Sequence, residues 1–200
     1  MQAQALSGGF DTSPVDSAHA FRAVMEAMAR PGQIQDISGA QPPAPLSNAA
    51  GSVLLTLCDT DTPIYLAGDA DKDVVRAWLA FHTGAPLTGP THAMFAVGDW
   101  DALMPLSGYP IGTPEYPDRS TTLIVESAEL EANGATLRGP GIKSEDTLSL
   151  PETRAFQSNN ALFPLGLDFI FTCGDRLAAL PRSTQVYRSS SEALAHEGTF

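Results

Sequence analysis

Lysine is scarce in this 200-residue sequence, and cationic side chains are outnumbered by acidic ones. Two lysines, Lys72 and Lys143, accompany nine arginines, and 23 acidic side chains bring the formal net charge to −12. A surface of this sign repels the phosphates of nucleic acids and anionic lipids, so we expect neither nucleic acid nor membrane as a partner. An anionic ligand would need a local pocket built from arginines.

Cysteines and long apolar runs are also few. Cys58 and Cys173 are too few for the disulfide framework of a small secreted domain. No stretch reaches the ~18 apolar residues of a membrane helix, and the N-terminus lacks the basic and apolar regions of a secretory signal. These absences predict a cytoplasmic protein. Zinc-site spacings such as C-x-x-C and H-E-x-x-H are missing, as is a nucleophile elbow, so we expect no metal and no catalytic residue.

Helical and strand patterns alternate along the chain without an internal repeat. This alternation predicts one α/β domain over residues 1–200, with a sheet covered by helices. Its core is expected at about residues 10–185, followed by a polar, frayed tail at 186–200. Ser13 and Pro14 predict the start of a first helix with one apolar stripe, formed by Ala18, Phe21, Met25 and Met28. Ser47 is expected to cap a second helix that runs through Leu57.

The stretch FPLGLDFIFTCGDRLAALPRST (163–184) holds two apolar runs separated by Gly174, Asp175 and Arg176. A short connection containing glycine predicts a strand hairpin. Cys173 then lies at a strand end as a small apolar side chain, since no histidine lies nearby in sequence to activate it. Asp168 is costly to bury unless it is paired, so it either pairs with an arginine, Arg176 or Arg182, or faces a ligand or partner.

Other arginines lie beside glycine-rich loops and are candidates for an anion site. Arg138 precedes the turn Gly139-Pro140-Gly141-Ile142, whose N–H groups could face a phosphate, although a plain turn between strands explains it equally. Arg119 ends the long Gly- and Pro-rich loop 107–120, where it could meet an anion or simply water. The candidate ligand-binding residues are Arg119, Arg138, Gly139, Gly141, Asp168, Arg176 and Arg182.

Several longer motifs resemble one family in their order along the chain. The sequence is similar to PhnH proteins, subunits of the bacterial carbon–phosphorus lyase system, from about residue 10 to 185. Several ungapped matches in the right order are far more specific than any single short motif. The motifs are FRAVMEAMARPG (21–32), SVLLTLCDTDTP (52–63), FHTGAP (81–86), ATLRGPGI (135–142) and the stretch 163–184.

The resemblance implies a fold and the loss of a cofactor. Family members resemble pyridoxal-phosphate (PLP)-dependent aminotransferases, with a central mixed sheet in a three-layer α/β/α arrangement, but are regarded as having lost PLP. No cofactor is therefore expected. A Schiff base needs a lysine, usually in a buried pocket. Lys143 is the one plausible candidate for a vestigial site, because Lys72 lies at the acidic start of a predicted helix.

The resemblance also implies partners and a process. PhnH proteins assemble with PhnG, PhnI and PhnJ into a core complex that forms ribose 1-phosphonate 5-triphosphate from ATP and phosphonate and later cleaves the C–P bond. The chain is then an accessory subunit without a complete active site, and a homodimer when isolated. The alternative is a stand-alone phosphonate- or nucleotide-binding protein or enzyme, with Arg119, Arg138 and Arg182 as an anion site.

Overall fold

The computed structural model describes residues 6–189. Within this range the helices are α1 (Ser13–Ala29), α2 (Asn48–Leu57), α3 (Asp73–His82), α4 (Trp100–Leu103) and α5 (Arg154–Asn160). The strands are β1 (Gln35–Asp36), β2 (Ile64–Leu66), β3 (Phe95–Asp99), β4 (Thr122–Glu126), β5 (Ala135–Arg138), β6 (Asp146–Leu148), β7 (Asp168–Cys173), β8 (Arg176–Leu180) and β9 (Gln185–Tyr187). None of the helices in the described range is both long and apolar enough to span a membrane.

Six strands form the main sheet in the order β1-β8-β7-β4-β3-β2. The four strands β2, β3, β4 and β7 run parallel, whereas β8 is antiparallel to both β7 and β1. The predicted α/β class and mixed central sheet are confirmed. The predicted hairpin is confirmed as well, with a turn of two residues, Gly174 and Asp175, because Cys173 pairs directly with Arg176.

The two faces of the main sheet pack against different layers. On one face Val97, Ile124 and Ile170 lie in a core cluster with residues of α1, α2 and α3. On the other, Leu123, Phe169 and Phe171 cluster with Phe156 of α5 and with strands β5, β6 and β9. These three strands form a second, antiparallel sheet in the order β6-β5-β9. The second face therefore packs partly on a small sheet, which the prediction of helical layers did not include.

The apolar stripe predicted for α1 faces outward in the structure. Phe21 and Met25 are 50% and 51% exposed, Ala18 is exposed, and only Met28 packs partly against the core. The buried face consists of Ala20, Ala23, Val24 and Ala27. Small side chains let α1 approach α2 and β8 closely, so close packing selects a different face from the one with the largest apolar residues.

The ends of α1 and α2 differ in how well the sequence predicts them. The N-cap of α1 is Thr12 and not Ser13, and Asp16 accepts a hydrogen bond from the Thr12 N–H at 2.7 Å. Ser47 caps α2 as predicted, its hydroxyl oxygen accepting from the Ala50 N–H at 3.1 Å. Capping of this kind satisfies donors that have no partner inside the helix.

The tail predicted to fray from residue 186 begins with an ordered strand. Strand β9 pairs with β5, and its Val186 is buried in the second core cluster. The pattern Gln-Val-Tyr is polar at one position and too short to stand out in the sequence, yet one apolar side chain suffices to anchor it. Residues 190–200 of the predicted tail lie outside the described residues.

Candidate functional site

The parallel strands of the main sheet give it two distinct edges. Thr122 and Asp168 begin β4 and β7 at what we call the amino edge, and Glu126 and Cys173 end the same strands at the carboxyl edge. In open α/β sheets, ligands bind outside the carboxyl ends of the strands. The positions of the candidate residues relative to these edges therefore bear on function.

Asp168 forms an ion pair with Arg182 at the amino edge. The Asp168 carboxylate also accepts from the Arg182 backbone N–H at 2.8 Å. The Arg182 guanidinium donates in addition to the Pro117 carbonyl at 2.6 Å and to the Ser120 hydroxyl. Both side chains are largely buried, 16% and 13% exposed. Of the two arginines expected beside Asp168, Arg182 is the partner, and the pair fastens the long loop to the sheet.

The other three candidate arginines are exposed and lie apart along the chain. Arg119 lies over the Tyr116 ring, 4.1 Å from its centroid. Arg138 forms an ion pair with Glu145 and also lies near the Tyr187 ring. Arg176 occupies the first position of β8, opposite Cys173 and Asp36. The guanidiniums of Arg138 and Arg182 are thus already bound to carboxylates of this chain.

The turn at Gly139 and Gly141 contacts the end of helix α1. Gly141 has φ +84°, and a Cβ added there would lie 2.0 Å from the Ala29 carbonyl oxygen. The backbone of this turn is therefore held against the helix, where glycine alone fits. Lys143 follows the turn and is exposed, which differs from the buried setting usual for a Schiff-base lysine.

The two cysteines lie in different surroundings. Cys173 is partly exposed and its thiol lies 3.4 Å from the Ala128 carbonyl oxygen, to which it donates. Cys58 is buried at the end of α2, and burial raises its pKa to about 12. A thiol with such a pKa stays protonated at neutral pH and is a poor nucleophile.

Glu126 at the carboxyl edge is a partly buried acidic residue that the sequence did not single out. Its carboxylate accepts from the Ser47 backbone N–H at 2.7 Å and from the Thr172 hydroxyl at 3.1 Å. Burial is the main cause that raises its pKa above the usual value, and these hydrogen bonds partly oppose it. Among residues 6–189, no arginine or lysine forms an ion pair with it.

A cavity of about 270 Å³ lies beside Glu126. Trp100 forms one side, its indole N–H donating to Glu152 at 3.1 Å and its ring packing on Phe156 at 4.9 Å between centroids. A carboxyl group with a raised pKa can exchange a proton with a bound molecule closer to neutral pH than an ordinary one. The carboxyl edge thus combines a cavity, an aromatic wall and a perturbed acid, and it is the candidate site.

Sequence reasoning missed this site for a physical reason. In the sequence, Glu126 ends the apolar run TLIVE and looks like an ordinary charged residue at a strand end. Its partner Ser47 is 79 positions away, and only the docking of α2 against the sheet brings the two together. The one available signal was its place at the end of a buried strand that the alternation predicts to be parallel.

Comparisons with known proteins agree on a family. The model of the family described as "Bacterial phosphonate metabolism protein (PhnH)" matches residues 8–187. The chain is 41% identical to the "Alpha-D-ribose 1-methylphosphonate 5-triphosphate synthase subunit PhnH" of Rhizobium meliloti (strain 1021), over 94% of this chain and 98% of the relative. It is 29% identical to the "Putative C-P lyase subunit protein HtxG" of Stutzerimonas stutzeri, over 84% of each. The chain therefore belongs to the PhnH family of bacterial phosphonate metabolism proteins.

Proposed function

We propose that this chain is an accessory subunit of a carbon–phosphorus lyase complex in organophosphonate breakdown. The observation that carries the proposal is the match to a synthase subunit over nearly the full length of both chains. The second relative, whose name is "Putative C-P lyase subunit protein HtxG", supports the same process. The subunit would support formation of ribose 1-phosphonate 5-triphosphate from ATP and phosphonate, and then C–P cleavage.

The proposed partners are PhnG, PhnI and PhnJ, in the cytoplasm, and the proposed state of the isolated chain is a homodimer. Helix α1 supports a docking role because Val15, Phe21 and Met25 expose apolar side chains along one stretch of it. Ala18, Phe21, Met25 and Met28 follow the three- and four-residue spacing with which a helix packs against another helix. We propose that a helix of a partner subunit covers this surface.

Co-expression of the tagged chain with PhnG, PhnI and PhnJ tests the assembly. We expect one particle of fixed stoichiometry on size exclusion, and Phe21→Asp to release this chain from it. Phe163→Asp is the matched control, since Phe163 is a similarly exposed phenylalanine (59%) outside α1. Release by Phe163→Asp alone would move docking away from α1, and a chain that elutes alone with all three partners would overturn the proposal.

Growth of a deletion strain gives an independent test of function. We expect no growth on methylphosphonate as the phosphorus source, and recovery with the intact chain. Growth of the deletion strain at the rate of its parent would show that the process does not need this protein. In that case the stand-alone anion-binding alternative, through Arg119, Arg138, Gly139, Gly141, Asp168, Arg176 and Arg182, would take first place.

The similarity to aminotransferases in a three-layer arrangement, and the loss of PLP, are part of the same proposal. The exposure of Lys143 supports the loss. Purified protein mixed with PLP should show no new visible absorbance band. A band that disappears in Lys143→Ala would instead assign a retained Schiff base to this lysine.

A further inference from the structure

Two arginines that the sequence did not single out line one cleft next to the cavity at Glu126. Arg154 begins helix α5, and Arg188 directly follows strand β9. Both line a cleft of about 710 Å³. The cleft and the cavity at Glu126 adjoin, because Ser149, Leu150 and Pro151 line both.

The two arginines are held on elements that are tied to each other. Strand β9 pairs with β5, with Tyr187 opposite Thr136. The Gln157 side chain of α5 donates to the Val186 carbonyl at 2.9 Å. The backbone at Arg154 and at Arg188 is therefore fixed by the fold, as a binding site requires.

The guanidiniums of Arg154 and Arg188 differ from four others in the chain, which form ion pairs with carboxylates. Arg30, Arg76, Arg138 and Arg182 each form an ion pair, whereas among residues 6–189 neither Arg154 nor Arg188 does. In a chain of net charge −12, two arginines without an acidic partner in one cleft form a local cationic site.

Glu152 is the acidic side chain among the residues that line the cleft, and its carboxylate is hydrogen-bonded to Trp100 and Ala155. The Glu152 carboxylate accepts from the Trp100 indole N–H at 3.1 Å and from the Ala155 N–H at 3.3 Å. The Ser149 hydroxyl oxygen accepts from the Glu131 N–H at 2.9 Å. Since a hydroxyl that accepts still has a proton to donate, Ser149 adds a neutral donor beside the two arginines.

We propose that this cleft binds a small organic molecule through a phosphoryl or phosphonyl group. A guanidinium donates two parallel hydrogen bonds to such an oxyanion. A volume of about 710 Å³ lies within the ~300–1,000 Å³ range of small-molecule sites and leaves room for more than the anion itself. The preference for an anion follows from the arginines; the choice of a phosphorus oxyanion rests on the proposed function.

Thermal unfolding of the isolated full chain with inorganic tripolyphosphate or methylphosphonate tests the site, with sulfate and succinate as comparison anions. We expect tripolyphosphate to raise Tm in a saturable manner. Arg154→Gln and Arg188→Gln should each raise its apparent Kd by about 10-fold, since hydrogen bonds between charged groups are strong. Arg22→Gln is the matched control, because Arg22 is exposed, lies outside the cleft and, among residues 6–189, forms no ion pair.

Each outcome decides a separate point. No rise in Tm with any anion, or a rise that both cleft variants leave unchanged, would overturn the site. Equal affinity for succinate and tripolyphosphate, weakened in both variants, would overturn the phosphorus-oxyanion class while keeping the anion site. Because the binding is measured without PhnG, PhnI and PhnJ, failure of the subunit assembly leaves this result unaffected.

Discussion

The amino edge and the carboxyl edge of the main sheet each hold one partly buried carboxylate, and the two carboxylates have different hydrogen-bond partners. At the amino edge Asp168 has a full cationic partner in Arg182, which also binds the loop at Pro117 and Ser120. At the carboxyl edge Glu126 has neutral donors, the Ser47 N–H and the Thr172 hydroxyl. The ion pair of Asp168 with Arg182 holds the loop and the sheet together. A carboxylate such as Glu126, which has only neutral hydrogen-bond donors, has a pKa that burial can raise.

Removing the cation at the amino edge should have the largest effect on stability. Arg182→Met leaves the Asp168 carboxylate buried without its partner, which costs about 3–5 kcal/mol in the free energy of unfolding. Urea denaturation measures this loss, and Arg176→Met, at an exposed arginine of the same hairpin, should change little. The double variant Asp168→Leu/Arg182→Met should be more stable than Arg182→Met alone. A double variant that is no more stable would mean that packing and not charge dominates there.

Removing a neutral donor at the carboxyl edge should have a smaller effect. Thr172→Val keeps the shape of a fully buried side chain but removes the hydroxyl that donates to Glu126. We expect a loss of about 1–3 kcal/mol in urea denaturation, the cost of an unmade hydrogen bond to a charged group. Thr122→Val on β4 is the control, since Thr122 donates to the Met94 carbonyl through its backbone N–H and makes no side-chain hydrogen bond within residues 6–189. Equal losses in both would assign the effect to strand packing.

Titration of Glu126 should give a pH-dependent difference between the native protein and Glu126→Gln. Burial raises the pKa of Glu126 in the folded state above its usual 4.5. Below that value the group is protonated in both states; as pH rises, the unfolded chain loses the proton first, so the native protein loses stability. Between about pH 4 and about pH 7, the free energy of unfolding of the native protein should therefore fall relative to that of Glu126→Gln. A difference that is constant with pH would contradict a raised pKa.

The smallest effect is expected at an exposed ion pair. Arg138 and Glu145 are 53% and 49% exposed, so water screens their attraction. Arg138→Gln should leave the urea midpoint within experimental error. A loss as large as that of Arg182→Met would show that strand β9, whose Tyr187 lies near the Arg138 guanidinium, depends on this contact.

The sequence predicted elements that local chemistry specifies. Ser47 as a cap, the hairpin around Gly174 and the pairing of Asp168 with an arginine all follow from short-range patterns or from the cost of burying a charge. The face that α1 buries was not predictable in this way. It depends on how closely α2 and β8 approach, and that distance selects Ala20, Ala23 and Ala27 over larger neighbours.

The candidate site was the least predictable part for a related reason. Glu126, Trp100, Arg154 and Arg188 belong to separate elements, and only sheet order and the docking of β9 bring their surroundings together. Arg154 and Arg188 stand alone in the sequence, without a flanking glycine loop to draw notice. The arginines beside such loops, Arg119 and Arg138, contact Tyr116 and Glu145 of the same chain.

The pairing of the first strand with the eighth has a consequence for synthesis on the ribosome. Gln35 pairs with Leu177, the Ala49 N–H donates to the Gly174 carbonyl at 2.9 Å, and the Ile37 N–H donates to the Asp175 carbonyl at 2.8 Å. Helices α1 and α2 therefore emerge long before the hairpin that holds them has been translated. Contacts this distant in sequence form slowly. The inner face of α1 packs on both α2 and β8, so it can be covered completely only after the residues of β8 have left the exit tunnel.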